Sequence, residues 1–357
     1  MSKFRKQHYV PKFLLKKFSS DGKNIGIYLK DKNLYKGSLP FADQCYKDYF
    51  YGKDGDIEQQ LSKMEYEASI LFNQLESMEK KLFLSEDIQL IVFFLVVQQN
   101  RTKASTENYI HKMDVFYKKL LSGHPDIKDN DLEKLRLNVP NASLYQLYFA
   151  GIGVHFLIDL KCKVLINNTN EDFVLSDNPV FMCNPFAEKF QRLKKIKEKM
   201  GTGLSEKGLM ILMPLTPKKY IVLYDSATYK VGNKKGIYHI VKRKDDVKSI
   251  NLMQSNSASF CVYYKNINNI SSTFRVNKDA ERLSQDSVES IINKKGEYQL
   301  LKITNRKGNY IRDLQFFKII SRESYSEYLG SCMPQRYNAR ALMREVEKEV
   351  PSIFEED

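Results

Sequence analysis

Seven apolar residues, Ile57, Leu61, Met64, Ala68, Leu71, Leu75 and Met78, recur at alternating intervals of four and three. Only an α-helix returns side chains to one face at that interval, so the spacing predicts a helix over 57–78 with one buried stripe. Asp56 stands where such a helix takes its cap. The stripe lasts about three heptads, which suits a core face better than a coiled-coil seam. A second helix is expected from Ser85, Glu86 and Asp87 onward, and its segment 90–97 is apolar all round, which predicts a central position. It closes on Gln98, Gln99, Asn100, Arg101 and Thr102. A buried helix ending in so many hydrogen-bonding groups must satisfy them locally, at a binding site or against other backbone. The pattern continues through Tyr109, Met113, Phe116 and Leu120 until Ser122, Gly123, His124 and Pro125 stop it, and a further helix is predicted over 143–156.

From Lys163 the period changes. Short β-rich runs at 164–166, 173–175, 208–213, 220–224, 238–241 and 260–264 are separated by Asn, Asp, Gly and Pro. Nearer the start, 25–29 and 34–35 read as paired strands across a turn at 31–33. The expected class is α+β, an N-terminal helical bundle packed on a mainly antiparallel sheet. A core domain over 1–280, helical to 160 and sheet-rich from 161, would be followed by an α/β extension over 281–357, with strands near 298–303 and 314–320 and a last helix near 339–350. Between two sheet strands, 190–200 predicts a basic helix carrying Arg192, Lys194, Lys195, Lys197 and Lys199.

Composition narrows the function classes. Hydrophobic residues make up 42% and charged residues 28%, a globular balance. The formal charge of +14 attracts polyanions, nucleic acid among them, although lysine-rich chains are often merely soluble. Cys45, Cys162, Cys183, Cys261 and Cys332 are far apart and odd in number, which predicts reduced thiols in a cytoplasm and argues against a zinc knuckle. The longest unbroken apolar run, 90–97, falls well short of the roughly 20 residues a bilayer span needs, and no signal peptide is expected.

Gln7, His8, Tyr9, Val10 and Pro11 open a short amphipathic helix in which Phe13, Leu14 and Phe18 face inward. Val10 precedes a proline and is pushed extended, while Pro11 is preset for a first helical turn, so His8 lies in extended chain at the helix mouth. The run QHYVPKFLLKKFS resembles the opening signature of the bacterial family known as domain of unknown function 4238. IEQQLSKMEYEAS at 57–69, QQNRT at 98–102, FVLSDNPV at 173–180, PLTPKKYIVLY at 214–224 and INLMQSNSASFCVYY at 250–264 resemble that family in the same order. The resemblance marks candidate residues and supplies no reaction; bacterial defence or toxin effectors are the setting it suggests.

Within those stretches, His8 can take or give a proton near neutral pH, and Asp177, expected at a strand end, could orient it or bind a divalent cation. Arg101 suits a phosphate or carboxylate; its plainer reading is a buried ion pair with Glu58 or Glu65. Gln7, Asn178, Asn251 and Gln254 would position substrate, the last two from one face of a helix over 246–255. The basic helix would hold nucleic acid. The expectation is a nucleic-acid-directed phosphodiesterase or nuclease. Two alternatives are a non-catalytic nucleotide- or polyanion-binding module and a set of buried hydrogen-bond fasteners.

Overall fold

The computed structural model describes residues 5–122, 129–194, 203–233, 236–270, 287–292, 299–304, 314–324 and 336. The chain opens on strand β1 (Lys6–His8), passes through helix α1 (Lys12–Lys17), and continues with strands β2 (Asn24–Leu29), β3 (Leu34–Pro40) and β4 (Tyr46–Asp48). Helices α2 (Asp56–Ser77), α3 (Ser85–Asn100), α4 (Lys103–Leu121), α5 (Asp129–Lys134) and α6 (Ala142–Gly153) follow. Then come β5 (Lys161–Asn167), β6 (Leu175–Ser176), β7 (Phe181–Cys183), α7 (Pro185–Lys194), β8 (Met210–Thr216), β9 (Lys219–Tyr224), β10 (Tyr229–Val231), β11 (Tyr238–Val241), α8 (Lys244–Ser257) and β12 (Cys261–Tyr264). Strands β13 (Ser287–Ile292), β14 (Gln299–Thr304) and β15 (Phe317–Ile319) complete the described elements.

The α2 stripe is buried from Leu61 through Met64, Ala68 and Leu71 to Leu75, whereas Ile57 is half-buried and Met78, in left-handed backbone just past the helix, is exposed. Helix α3 starts where its acidic turn indicates, with Asp87 Oδ2 accepting from the Leu84 amide at 2.7 Å. The periodic pattern beyond it is a separate helix, because the chain breaks at Arg101 and restarts with Thr102 Oγ1 accepting from the Ser105 amide at 3.1 Å. The predicted 143–156 helix is α6 followed by a turn of 3₁₀ helix at Val154–Phe156.

A five-stranded sheet in the order β11-β5-β9-β8-β7 divides the hydrophobic interior. Its neighbours are antiparallel except β11 and β5, which run parallel. Alternation along a strand sends Ile211, Met213, Ile221 and Leu223 into the core shared with α1, α2 and α3, and Met210, Leu212, Tyr220 and Val222 into a second core with Phe186, Val247 and Ile250. Both faces are covered, so β8 and β9 are buried at every position.

The expected N-terminal helical bundle is corrected by the strands that precede it. Strand β2 lies inside a second sheet, β3-β2-β12-β6, so residues near the start of the chain pair with Cys261–Tyr264 from the far end of the sheet-rich half. Gly26 makes that pairing close: a Cβ there would stand 2.2 Å from Tyr264 Cε2. A strand pairing across more than 200 positions leaves no trace in local periodicity. Among the described residues no helix is long and apolar enough to cross a membrane, and Cys45, Cys162, Cys183 and Cys261 form no disulfide. The expected terminal helix near 339–350 lies outside the described residues, as do Lys195, Lys197 and Lys199; Arg192 and Lys194 belong to α7, whose last residues have no described side chains.

Candidate active site

Strand β1 pairs antiparallel with β4 as a two-stranded ribbon, which sets His8 opposite Tyr46 and Gln7 opposite Lys47. Gln7 is fully buried. Its Oε1 accepts from the Tyr51 amide at 2.5 Å, and its Nε2 donates to the Gly52 carbonyl at 2.7 Å. Gln7 thereby closes the loop between β4 and α2, where Tyr49, Gly52 and Gly55 have left-handed backbone, as Cys45 has just before β4. Two of those four carry a Cβ, and such costly conformations persist only where surrounding contacts impose them.

His8 is 6% exposed, and its Nε2 lies 3.1 Å from the Ala42 carbonyl. A carbonyl can only accept, so the proton resides on Nε2 and the lone pair of the neutral ring on Nδ1. Burial lowers its pKa to about 4, against the carbonyl bond that favours the charged form, with Lys12, Lys6 and Arg101 adding repulsion.

Arg101 is completely buried at the end of α3. Its Nε donates to Gln98 Oε1 at 2.8 Å, and Nη1 donates to Glu65 Oε1 at 2.7 Å. Its backbone carbonyl accepts from the Tyr51 hydroxyl at 3.0 Å, and Gln98 Nε2 donates to the Tyr9 carbonyl at 2.9 Å. The guanidinium therefore ties α2 to α3, while the Arg101 carbonyl holds the strained loop and Gln98 holds the chain just after β1. The ion pair with Glu65 is one of the two partners the spacing allowed. Arg101 Nη2 has no hydrogen-bond partner, and neither have Glu58 Oε2 and Gln99 Oε1. Glu58 lies one turn into α2, and its pKa rises to about 7 because burial outweighs all else; Glu65 adds to the rise and Arg101 opposes it.

The remaining motif residues are spent on backbone. Asp177 is 4% exposed; its Oδ1 accepts from the Ser259 amide at 2.9 Å, and its Oδ2 from the amides of Phe260 at 2.8 Å and Cys261 at 3.2 Å. Desolvation still raises its pKa, those three bonds opposing. The expectation that Asp177 orients His8 has no contact behind it, since both oxygens are engaged at the start of β12. Asn251 stands in for a strand partner, with Oδ1 accepting from the Val174 amide at 3.1 Å and Nδ2 donating to the Asp172 carbonyl at 2.7 Å. Gln254 accepts from the Tyr220 hydroxyl and donates to Ser176 Oγ, each at 2.6 Å. Asn178 links the halves: its Nδ2 donates to the Ser257 carbonyl at 3.1 Å, and its Oδ1 accepts from Thr102 at 3.2 Å.

The motif side chains thus fall into two hydrogen-bonded groups, one of Gln7, Tyr51, Gln98, Arg101 and Glu65 at the β1, α2 and α3 junction, the other of Thr102, Asn178, Ser176, Gln254 and Tyr220. His8 bonds Ala42 rather than either group, and the Arg101 charge is felt at both His8 and Glu58. Sequence spacing offered one hint of Glu58, as an alternative partner for Arg101. A separate cavity of about 770 Å³, lined by residues such as Leu84, Lys161, Lys163, Tyr224 and Tyr229, touches none of this set. No group of His, Cys, Asp and Glu suited to a metal ion occurs among the described residues.

A mixed α/β protein with mainly antiparallel sheets is the class this fold defines. Residues 6–268 match the family described as Protein of unknown function (DUF4238), and the chain belongs to it. No curated protein and no solved structure matches the chain.

Proposed function

We propose that the chain is a nucleic-acid-directed phosphodiesterase whose centre is the cluster of His8, Glu58 and Arg101. The observation that carries this reading is the pair of buried, unpartnered atoms Arg101 Nη2 and Glu58 Oε2, together with burial driving the proton affinities of Glu58 and of His8, both of which feel the Arg101 charge, in opposite directions. Burying polar atoms without partners is costly, and groups with displaced proton affinities concentrate where chemistry is done. At neutral pH His8 is uncharged and its Nδ1 can take a proton from water or a ribose hydroxyl. Glu58 retains a proton in part of the population and can give it to the departing oxygen. Arg101 Nη2 supplies a donor for a non-bridging phosphate oxygen. The strained loop over Gln7 is the element that would shift to admit substrate. Asp177, Asn251 and Gln254 keep the surrounding frame and take no part in proton transfer.

Purified protein incubated with end-labelled RNA and DNA tests this. A cleavage rate that rises through about pH 4 and falls through about pH 7 is expected, the limbs belonging to His8 as base and Glu58 as acid. Glu58→Gln should remove the upper limb and lower the rate on the order of 100-fold or more. Absence of cleavage at every pH, with and without added divalent cations, would sink the reading. A set of buried hydrogen-bond fasteners is the second reading, favoured by the complete burial of Arg101. Under it, His8→Gln lowers the melting temperature and there is no turnover to lose.

A further inference from the structure

Residues 46–53 read Tyr-Lys-Asp-Tyr-Phe-Tyr-Gly-Lys, four aromatic rings with two lysines and an aspartate among them, continuing from the strand that pairs with His8. Three lysines of the ribbon and its loop sit over aromatic faces: Lys6 Nζ is 4.6 Å from the Tyr46 ring centroid, Lys47 Nζ 5.6 Å from Phe50, and Lys53 Nζ 5.9 Å from Tyr49. The ammonium groups are exposed, while the rings of Tyr46, Tyr49 and Phe50 are half-buried and so held in fixed orientation. Lys6 also binds Asp43 and Arg5 binds Asp48, whereas Lys47 and Lys53 carry no ion pair among the described residues. The Tyr46 ring stands 5.6 Å from the His8 ring.

The geometry points to a stacking platform for unpaired nucleotides on the β1 and β4 ribbon, delivering single-stranded nucleic acid to the cluster behind it. This rests on the phosphodiesterase reading for its direction, though the binding it describes stands by itself. A base has a π-face whatever its identity, so a fixed ring offers a sequence-tolerant seat once the exposed lysine lying over it swings aside, and that freed ammonium meets the phosphate that follows the base. A duplex hides those faces in its own stack and gains only the charge. Rings on the ribbon and the loop after it therefore select single strands, where a basic surface alone would favour neither form. The substrate class follows as unpaired RNA or DNA, which the sugar then discriminates.

Fluorescence anisotropy with single strands of about 12 nucleotides, of uridine or thymidine, against a duplex of equal length measures this directly. Single strands are expected to bind about 10-fold or more tightly than duplex. Binding should weaken with salt, and replacing Lys6, Lys47 and Lys53 together by Ala should flatten the dependence of log K on log salt by about 2. Tyr49→Leu should weaken single-strand binding by about 10-fold with duplex binding unchanged. Each variant is first compared with the parent by thermal melting, and the lysine variant, altering only exposed cations, keeps the test open if Tyr49→Leu fails to fold. Equal binding of both forms, or folded variants that bind as the parent does, overturns the platform. Cleavage is read on the same samples. Single-strand binding without cleavage leaves the platform and removes the hydrolytic reading, whereas cleavage indifferent to the lysine and tyrosine changes removes the platform alone.

Discussion

His8 and Glu58 show how one buried cluster gives two titratable groups opposite pH behaviour. The folded pKa of His8, about 4, lies below its ordinary value of 6.5, so the unfolded chain binds more protons between them and stability is lost as pH falls through that window. Glu58, raised from 4.5 to about 7, contributes the reverse: stability is lost as pH rises through its window. Where the windows overlap the two partly cancel. Glu58→Gln removes one side, so the melting temperature of that variant is expected to fall more steeply than the parent's between pH 6.5 and 4.5, which a pH series of thermal melts checks. Arg101 is the other residue whose environment decides its role. Arg101→Ala leaves Glu65 without its counter-charge and Gln98 without its donor, and chemical denaturation should show a loss of about 3–5 kcal/mol. The sequence identified Arg101 as a group needing a partner, because a buried helix end must be satisfied; Glu65 lay 36 positions away, and only packing of α2 on α3 chose it over Glu58.

At the scale of elements, the turn after β6 and the C-terminal end of α8 behave as one clamp. Asp177 caps the first amides of β12, Asn178 and Ser257 bond across the turn, and Gln254 reaches Ser176. Asp177→Asn replaces one accepting oxygen by a donor that faces an amide, so a stability loss of about 1–3 kcal/mol is expected in urea unfolding. Cleavage per folded molecule should persist; a complete loss of activity in a folded Asp177→Asn protein would return this carboxylate to the chemistry. Helices were legible because a single stripe of period near 3.6 suffices to specify them, as Leu61, Met64, Ala68 and Leu71 do in α2. Strands β1, β4 and β7 were not, since each has only three residues and acquires its form from its partner.

Across the whole molecule, the two sheets sew the early chain to the late chain. Ile25 and Ile27 of β2 share a core with Leu175 and Tyr263, and α2 packs on the face of the central sheet that presents Ile211 and Met213. A fragment spanning 1–160 therefore lacks both β12 beside β2 and the sheet beneath α2. It should show little native helix by circular dichroism and no cooperative melt, while the full chain unfolds in one transition. A cooperatively folded fragment would mean that the helical half is a domain in its own right.

From its residues alone the chain determined the positions of its long helices, the change of period near Lys163, the polar end of the buried helix, and an extended His8 ahead of Pro11, all properties of neighbours in sequence. Tertiary structure alone decided that Asp177 serves backbone while Glu58 feels the charge of Arg101, and that lysines lie over rings on the first ribbon and the loop after it. Local pattern records which face of an element is apolar; desolvation and hydrogen-bond saturation depend on which distant groups fill the space around a side chain, and that is fixed only when the elements pack.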